Sequence, residues 1–340
     1  MKITSAKKIL IIRLRFIGDI VLTTPFIANL RKNYPDSHIA YLFEEGYGQV
    51  LSGNPLLNEL IQIPRNANLF QMLKVINTLR DKKFDAVIDL FGNPRSAILA
   101  YLTNAKYRVG FNFPVRRNFY NIVVKDSGSR NTAIDVYLNV LNAIDANLDT
   151  NCCNTTIYLS DEEKKNAKDF LAESKIDINK KIIGINPGAT WQAKRWLKEK
   201  FALLADILVD KYNSEIIIFE GPKEKGIANE ISNLMKKKIV CVNNLDIKYL
   251  SSVIERCNLF ITNDAGPMHI SVALNVPTIA IFGPGEPDIW FPYDKSKHIA
   301  FKKQVSCWPC NLDVCEKQDC MKAISVDDVL LAVEKMLKGK

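Results

Sequence analysis

Hydrophobic and polar positions along the chain alternate between two spacings. Short apolar runs, such as residues 8–14 and 84–90, have the length and composition of buried strands. Longer segments with one apolar face, such as residues 19–32 and 69–82, have the spacing of helices. The first half also contains strand-like segments at 39–43 and 60–63 and a helical segment at 133–144. Alternation of this kind favours parallel βαβ units.

The pattern restarts in the second half, after a polar stretch at residues 148–180. We place a domain boundary in that stretch, at residue 175. Beyond it the pattern predicts strands at 181–186, 215–219, 239–242, 259–261 and 278–282, and helices at 198–211, 224–236, 247–255, 270–274 and 326–337. The chain is therefore predicted to be an α/β protein. Its two Rossmann-like domains, residues 1–175 and 176–340, would carry parallel sheets that face a cleft.

Composition limits the compartment and the partners. The 340 residues are 47% hydrophobic and 24% charged, and the formal net charge is +9. Such a basic surface is either simply solvated or attracts anionic lipid or an anionic substrate. Nucleic acid is disfavoured, because no RNA- or DNA-binding motif is present. Arg13 and Arg15 break the first apolar run, and no segment approaches the roughly 18 apolar residues of a membrane span. We therefore expect a cytoplasmic protein, at most peripheral to a membrane, with mostly reduced cysteines.

The turn after the apolar run 259–261 is suited to an anion. Small and polar residues from Asp264 to His269 lead directly into the next helix. Open α/β sheets bind ligands at the carboxyl ends of their strands. A helix start also offers unpaired N–H groups and a positive dipole end to a phosphate, and Gly266 allows close approach of the backbone. An ordinary turn with Asp264 as the helix N-cap explains the same residues.

Asp19 follows the first predicted strand, after a tight turn at Gly18. It is either a helix N-cap or a carboxylate that faces the cleft, where it could act as general base on a hydroxyl. The helix dipole favours the ionised carboxylate, which is the form that accepts a proton. The G-x-G-x-x-G fingerprint is absent from this turn, which disfavours an NAD-dependent enzyme.

The turn after the strand at 181–186 carries groups suited to a pyrophosphate. Thr190 supplies a hydroxyl, and Lys194 and Arg195 supply cations that could neutralise a departing anion. The alternative is a loop with solvated cations and Trp196 packed inward.

Two acids end the strand at 215–219. Either Glu220 or Glu224 could hold ribose hydroxyls, as acids at strand ends often do. Capping of a helix or a place on the surface is an equal alternative for each.

Four segments together resemble glycosyltransferase family 9, which contains the lipopolysaccharide heptosyltransferases. They occur in the family's order and span nearly the whole chain: Gly18-Asp19 with Thr23-Thr24-Pro25, Pro187-Gly188-Ala189 with Lys194-Arg195-Trp196, Gly221-Pro222 with Glu224, and Asp264-Ala265-Gly266-Pro267-Met268-His269. The resemblance implies the GT-B fold, with the active site between two Rossmann-like domains. It also implies an inverting transferase that needs no catalytic metal and uses a nucleotide-activated sugar, typically ADP-heptose.

The resemblance implies a role for each matched residue. Asp19, in an N-terminal acceptor-binding domain, would be the general base that deprotonates the acceptor hydroxyl. The C-terminal domain would bind the donor, with Lys194 on the phosphates, Glu224 on the nucleoside and the turn at 264–266 around the diphosphate. The predicted donor-binding residues are Thr190, Lys194, Glu224, Asp264, Ala265, Gly266 and His269. Ala189 lacks the hydroxyl that this position can carry in a heptosyltransferase, which removes one phosphate contact.

Residues 111–130 are basic and irregular, and we predict a long loop there. Long loops in compact domains are often functional. We assign Arg116 and Arg117 to an anionic glycolipid acceptor, a lipid A–core precursor at the inner leaflet of the membrane.

Four cysteines lie within fourteen residues, with the spacing C-x2-C-x4-C-x4-C: Cys307, Cys310, Cys315 and Cys320. Four thiolates suit a tetrahedral structural zinc ion, although this spacing is tighter than usual for zinc pairs. Disulfides are disfavoured in a reducing cytosol. Reduced cysteines that pack a loop are the alternative.

The leading hypothesis is a transferase that moves heptose from ADP-heptose to the inner core of lipopolysaccharide or lipooligosaccharide. One alternative keeps the fold and the family and changes the sugar or the acceptor. Another is a non-catalytic nucleotide-binding protein on the same scaffold.

Overall fold

A computed structural model describes residues 3, 6–125, 131–222, 224–243 and 246–338. Of residue 338 only the backbone is described. The chain divides into two compact units, residues 1–158 and 159–340. Each unit contains a six-stranded sheet, and every recorded strand pair is parallel. The predicted α/β class with two parallel sheets is therefore confirmed.

The first unit contains strands β1 to β6 and helices α1 to α5. The strands are β1 Lys8–Ile12, β2 His38–Glu44, β3 Glu59–Ile63, β4 Ala86–Asp89, β5 Tyr107–Phe111 and β6 Ile122–Val124. The helices are α1 Ile17–Leu22, α2 Thr24–Asn33, α3 Leu69–Asp81, α4 Pro94–Leu102 and α5 Ala133–Ala143, with 3-10 helices at Gly48–Leu51, Arg116–Phe119 and Thr150–Cys152. The strand order across the sheet is β3-β2-β1-β4-β5-β6.

The second unit contains strands β7 to β12 and helices α6 to α13. The strands are β7 Ile182–Asn186, β8 Glu215–Glu220, β9 Val240–Asn243, β10 Leu259–Asn263, β11 Thr278–Ile281 and β12 His298–Phe301. The helices are α6 Asp161–Glu173, α7 Lys198–Tyr212, α8 Ile227–Leu234, α9 Ile247–Glu255, α10 Gly266–Ala273, α11 Pro287–Trp290, α12 Asp319–Ala323 and α13 Val326–Lys338, with a 3-10 helix at Gln192–Lys194.

The two sheets share one topology. The second sheet has the order β12-β11-β10-β7-β8-β9, which is the order of the first sheet repeated by the next six strands. This is the Rossmann order, with a switch point between the first and fourth strands of each unit. The central strands β4, β7, β10 and β11 are buried along their whole length. Burial on both faces explains why they read as continuous apolar runs in the sequence.

The predicted boundary at residue 175 lies later in the chain than the structural division. The polar stretch in which that boundary was placed contains helix α6. Ser160 caps this helix by accepting a hydrogen bond from the Glu163 amide, and the Glu163 carboxylate accepts one from the Ser160 amide. Helix α6 packs on α9, so it belongs to the second unit.

The predicted loop at 111–130 contains regular structure. It begins within β5 and includes the 3-10 helix Arg116–Phe119 and the edge strand β6. The prediction was wrong here because a three-residue strand has too few positions to show a period. Residues 126–130 of the predicted loop lie outside the described residues.

The predicted helix at 19–32 is two helices, α1 and α2, which meet at Thr23. Thr23 and Thr24 donate their hydroxyls to the carbonyls of Ile20 and Val21. Local bonds of this kind compete with the helix ladder. Among the described residues, no helix combines the length and apolar character that crossing a bilayer requires.

We expect Gly184→Ala, in the middle of β7, to destabilise the second unit. An added Cβ would lie 2.6 Å from a ring carbon of Phe260 and 2.9 Å from the Cys257 sulfur. Overpacking of this kind costs about 1–3 kcal/mol. That exceeds the roughly 0.5–1 kcal/mol gained when a strand glycine becomes alanine. Denaturant titration of both proteins gives the change in the free energy of unfolding.

The matched control is Phe260→Leu, alone and combined with Gly184→Ala. Removing part of the ring should relieve the overlap, so the double variant should lose less stability than the two single losses added together. Strict additivity, or an unchanged unfolding midpoint for Gly184→Ala, would contradict the packing described for this strand.

Candidate active site

The predicted site residues follow the strands that flank the two switch points. Asp19 follows β1 in the first unit. In the second unit Lys194 follows β7, and Asp264 follows β10. Strands β7 and β10 are paired neighbours, so the turns that follow them meet at the carboxyl edge of the sheet. Open α/β sheets bind their ligands at this position.

Lys194 and Asp264 form an ion pair in the second unit. The Lys194 ammonium lies 2.5 Å from Asp264 Oδ2, and the two side chains are only 18% and 6% exposed. The ammonium also lies 4.6 Å from the centroid of the Trp191 ring. Two largely desolvated charges of this kind hold each other in place, since loss of either would leave the other buried and unpaired.

Two asparagines that sequence reasoning missed hold the turn after β7. Asn263 donates from Nδ2 to the carbonyl of Pro187 at 2.7 Å and accepts the Trp196 amide at 3.0 Å. Asn186 donates to the carbonyl of Gly188 and to Thr262 Oγ1, both at 3.1 Å. The available signal was an asparagine ending each of two apolar strands, where an amide can satisfy the turn's backbone groups.

Asp264 is not the N-cap of α10. The N-cap is Ala265, which has no side chain to cap with, and Pro267 has no amide hydrogen in the first turn. The carboxylate is used instead on Lys194. The turn is closely packed, because a Cβ on Gly285 would lie 2.8 Å from Asp264 Oδ2. Helix α10 therefore starts without the side-chain cap that usually satisfies a helix start.

His269 lies in the first turn of α10 and is 5% exposed. Its Nδ1 lies 2.6 Å from the hydroxyl of Tyr293, a partner that the sequence did not indicate. Burial, together with the nearby Lys194 charge, lowers the pKa of His269 to about 3. The imidazole is therefore neutral at physiological pH and adds no charge to the site.

The structure separates the roles of the two acids after β8. Glu220 is buried and accepts the amides of Gly226 and Ala228 at 2.9 Å, so it caps the start of α8. The Glu224 side chain is close both to the turn after β7, at Gly188, and to the turn after β8, at Gly221. A Cβ on Gly188 would be 3.1 Å from Glu224 Cγ, and one on Gly221 would be 2.5 Å from Glu224 Oε2. Of the two, Glu224 is the acid that borders the turn after β7.

The side chains of Thr190 and Arg195 have different surroundings. Thr190 is exposed, and Ala189 beside it is buried. Arg195 donates from Nε to the Ala189 carbonyl at 2.8 Å, which fixes the turn. The second-unit site therefore has a buried part around Lys194 and Asp264 and an accessible part at Thr190.

Asp19 is the third residue of α1. Its Oδ1 lies 2.6 Å from Arg13 Nη2, and its Oδ2 accepts the Phe16 amide at 3.4 Å. Arg13 is held in turn by the Leu90 carbonyl at 3.2 Å. The Tyr137 hydroxyl also bonds to Asp19, and burial followed by that carboxylate raises the pKa of Tyr137. Arg13 and Tyr137, both missed from the sequence, fix the position of the carboxylate while 17% of its side chain stays exposed.

Arg116 and Arg117 lie in the 3-10 helix between β5 and β6. Arg116 donates to the Gly92 carbonyl at 2.9 Å, which attaches it to the turn after β4. Arg117 is exposed. Since β4 and β1 are parallel neighbours, Arg116 lies at the same edge of the sheet as Asp19.

The structure does not gather the four clustered cysteines into a group that could hold a metal ion. Within the described part of the chain, no group of three or more His, Cys, Asp or Glu side chains is placed to hold a metal ion. Cys320 is buried in α12, and Cys307 is exposed. The structure thus gives no support to the predicted zinc site, which rested on spacing alone. All eight cysteines lie within the described residues, and none forms a disulfide there.

Comparisons with known proteins agree with this arrangement. The family model for glycosyltransferase family 9 (heptosyltransferase) matches residues 72–321. The chain is 28% identical over 342 residues to lipopolysaccharide heptosyltransferase 3 of Escherichia coli, covering 95% of this chain and 97% of that protein. It is 38% identical over 165 residues to lipooligosaccharide heptosyltransferase 2 of Campylobacter jejuni, covering 46% and 52%.

Solved structures give the same result. A family 9 glycosyl transferase from Veillonella parvula superposes with a TM-score of 0.87 at 28% identity, covering 98% of both chains. The E. coli ADP-heptose lipopolysaccharide heptosyltransferase II superposes with a TM-score of 0.80 at 23% identity, over 98% of this chain and 99% of that one. The predicted GT-B class is confirmed by these likenesses. Because the family model covers well over half of the chain, the protein belongs to glycosyltransferase family 9, the heptosyltransferase family, and is a glycosyltransferase.

Proposed function

We propose that the protein transfers a heptose from ADP-heptose to the inner core of lipopolysaccharide or lipooligosaccharide, with inversion and without a catalytic metal. The observation that carries the donor assignment is the buried Lys194–Asp264 pair at the start of α10. It supplies a fixed ammonium where a helix start offers backbone amides to an anion. The assignment of the sugar and of the acceptor glycan is based on the relatives, which are named as heptosyltransferases of lipopolysaccharide and lipooligosaccharide.

The proposed donor half uses charge to stabilise the leaving diphosphate. The Lys194 ammonium exchanges Asp264 for a phosphate oxygen, and the hydroxyl of Thr190 and the amide of Gly266 add donors. Glu224 accepts hydrogen bonds from the nucleoside. Preorganised donors of this kind stabilise charge as it develops. Neutral His269 lies beside Lys194 without competing for the anion.

The proposed acceptor half is the Asp19 carboxylate. The acceptor hydroxyl attacks the anomeric carbon as the bond from that carbon to the diphosphate breaks, and Asp19 takes the proton. A single displacement inverts the anomeric centre. Arg13 and Tyr137 orient the base, and Arg116 and Arg117 bind anionic groups of the acceptor. An acceptor embedded in lipid places the reaction at the inner face of the cytoplasmic membrane.

We expect Asp19→Asn to abolish most transfer and to leave ADP binding unchanged. General base catalysis contributes about 10²–10⁴-fold, so the rate should fall by that factor. Mass spectrometry of reactions with ADP-heptose and a panel of core acceptors measures transfer, and calorimetry measures ADP binding. The matched control is Asp36→Asn, an exposed acid of the same unit.

Three outcomes separate the alternatives. Transfer that survives in Asp19→Asn would show that Asp19 is not the base. ADP binding by the wild type without transfer to any acceptor would favour a non-catalytic nucleotide-binding protein. Transfer from another nucleotide sugar but from no heptose donor would reject heptose while keeping the family.

We expect Lys194→Ala to weaken ADP binding by roughly 10–100-fold, because a charge-assisted hydrogen bond contributes about 1.5–3 kcal/mol. Part of that loss comes from the unpaired Asp264, whose carboxylate repels the diphosphate. The double variant Lys194→Ala with Asp264→Asn removes that unpaired charge, so it should recover part of the affinity and still bind ADP more weakly than the wild type. Lys198→Ala, which removes an exposed lysine nearby, is the control. Wild-type affinity in the double variant would contradict a direct contact between Lys194 and the diphosphate.

We expect His269 to make stability depend on pH. Its folded pKa of about 3 lies below the ordinary value of 6.5, so the unfolded chain takes up the proton first as the pH falls. The stabilisation is complete above about pH 6.5 and is lost as the pH falls toward 3. Between pH 7 and pH 5 that loss amounts to roughly 2 kcal/mol.

His269→Gln should remove this part of the pH dependence. Thermal unfolding across pH 5–7 measures the slope, so a change in absolute stability does not affect the result. His298, whose pKa burial lowers to about 4, keeps its own contribution in the variant. The control is His38→Gln, because the His38 side chain is 40% exposed. A slope equal to the wild-type slope would contradict a buried neutral His269.

A further inference from the structure

A pocket of about 830 Å³ lies in the first unit, away from Asp19. Asp85 and Lys106, which help to line it, immediately precede β4 and β5. These strands are parallel to β1, whose carboxyl end leads to Asp19. The pocket is therefore at the amino edge of the same sheet, opposite the edge that carries Asp19.

The lining of this pocket is strongly basic. Arg80, Lys83, Lys106 and Arg108 line it together with a single acid, Asp85. Asp85 Oδ2 accepts the backbone amides of Lys7 and Lys8, at the start of β1, at 2.8 and 2.9 Å. Within the described ranges, none of the four cations has a carboxylate at ion-pair distance. With a single carboxylate among them, these four cations repel one another, and a bound anion would relieve that repulsion.

The two arginines are held in place by backbone carbonyls. Arg80 donates from Nε to Leu102 at 2.7 Å. Arg108 donates from Nε to Phe119 at 3.1 Å and from Nη1 to Ala105 at 2.8 Å. A guanidinium has five N–H donors, so these bonds leave donors on each arginine for a ligand. Fixing the side chains in advance lowers the entropy lost on binding.

Tyr101 adds an aromatic wall to the pocket. The Arg108 guanidinium lies 5.4 Å from the centroid of its ring, and that ring meets the ring of Phe119 at 5.8 Å. Stacking of this kind further restricts the guanidinium of Arg108. The pocket therefore combines fixed arginines with two lysines, Lys83 and Lys106, whose long side chains can adapt to a ligand.

One feature of the fold opposes an anion here. Helices α3 and α4 end beside the pocket, and a helix carboxyl end carries about half a negative charge. Arg80 already bonds the Leu102 carbonyl in the last turn of α4. Four full positive charges outweigh the Asp85 carboxylate and two partial negative helix ends, so the pocket remains attractive to anions.

We propose that this pocket binds the phosphate groups of a phosphorylated ligand, at a site separate from the one that contains Asp19. Fork-shaped guanidiniums match phosphate oxygens in pairs, and lysines add point charges. The volume lies within the range of small-molecule sites, about 300–1,000 Å³, and exceeds the size of a single phosphate. A membrane lipid headgroup and a soluble phosphorylated compound both carry this chemistry.

The test compares two substitutions inside the pocket with two outside it. Lys83→Gln with Lys106→Gln removes two cations and keeps most of each side chain. Lys168→Gln with Lys335→Gln removes the same charge from exposed positions of the second unit. Pyrophosphate is titrated by calorimetry. Vesicles of phosphatidylcholine alone, or mixed equally with phosphatidylglycerol, are tested by co-sedimentation.

We expect the pocket variant to bind at least one anionic probe roughly tenfold more weakly than the wild type, and the control variant to change by less than about twofold. Added salt should weaken wild-type binding. Pyrophosphate that binds near Lys194 contributes equally to all proteins, so the difference between variants isolates the pocket. The charge-reversed pair Lys83→Glu with Lys106→Glu should reduce binding further.

The outcomes identify the source of the phosphate. Loss of pyrophosphate binding alone assigns a soluble ligand, and loss of binding to phosphatidylglycerol vesicles alone assigns a lipid headgroup. Equal binding by the wild type and the pocket variant in both arms would overturn the proposal, as would a wild type that binds neither probe. Circular dichroism confirms folding of the variants. The transfer assay with ADP-heptose is independent of these results, so failure here leaves the proposed reaction standing.

Discussion

The buried ion pair between Lys194 and Asp264 is the interaction on which the second unit's site depends. Each charge is largely shielded from water, and burying an ion costs several kcal/mol before its partner offsets that cost. Such a pair is weak evidence for stability, because apolar residues of similar size would often stabilise a fold as well or better. Its retention at the start of α10 is better explained by chemistry, since it keeps a desolvated cation beside a helix start that lacks a side-chain cap.

The repeated strand order gives both units a charged pair next to their switch points. In the first unit Arg13 and Asp19 come from one turn, after β1. In the second unit the cation and the carboxylate follow two different strands, β7 and β10. The first pair can form within a local segment, whereas the second requires the sheet to be assembled. The pair in the second unit therefore depends on tertiary structure that the pair in the first unit does not need.

The sequence predicted the fold class and the two sheets because central strands buried on both faces stand out as continuous apolar runs. It also placed Asp19, Lys194 and Asp264 at strand ends, which the topology then brings to the sheet edges. It did not predict α4 or β5, and it did not resolve helix α6 within the polar stretch in which it placed the domain boundary. Short elements and a polar helix give weak periodic signals.

The hydrogen-bond partners of the site residues could not be predicted from the sequence, for a different reason. The hydrogen bonds of Asn263 to Pro187 and to Trp196 join residues that are 76 and 67 positions apart in the chain. Tyr293 and His269 are 24 positions apart, and nothing in the local pattern marks either residue as the other's partner. The four cysteines show the opposite case, since their close spacing along the chain does not produce a metal-holding group among the described residues.

The loop that carries those cysteines holds the turn at Lys194 through hydrogen bonds. A 3-10 helix of three residues is poorly stabilised by its own hydrogen bonds. The one that ends at Lys194 is held by residues outside it. The Gln192 side chain accepts the backbone amide of Cys315, the Gln192 carbonyl accepts the side-chain amide of Gln318, and Ala193 donates to the carbonyl of Asp313. Neutral hydrogen bonds thus set the position of this turn independently of the charge on Asp264. An ammonium mounted on a turn fixed in this way can change its anionic partner while the backbone stays in place, which is what the proposed exchange of Asp264 for a phosphate requires.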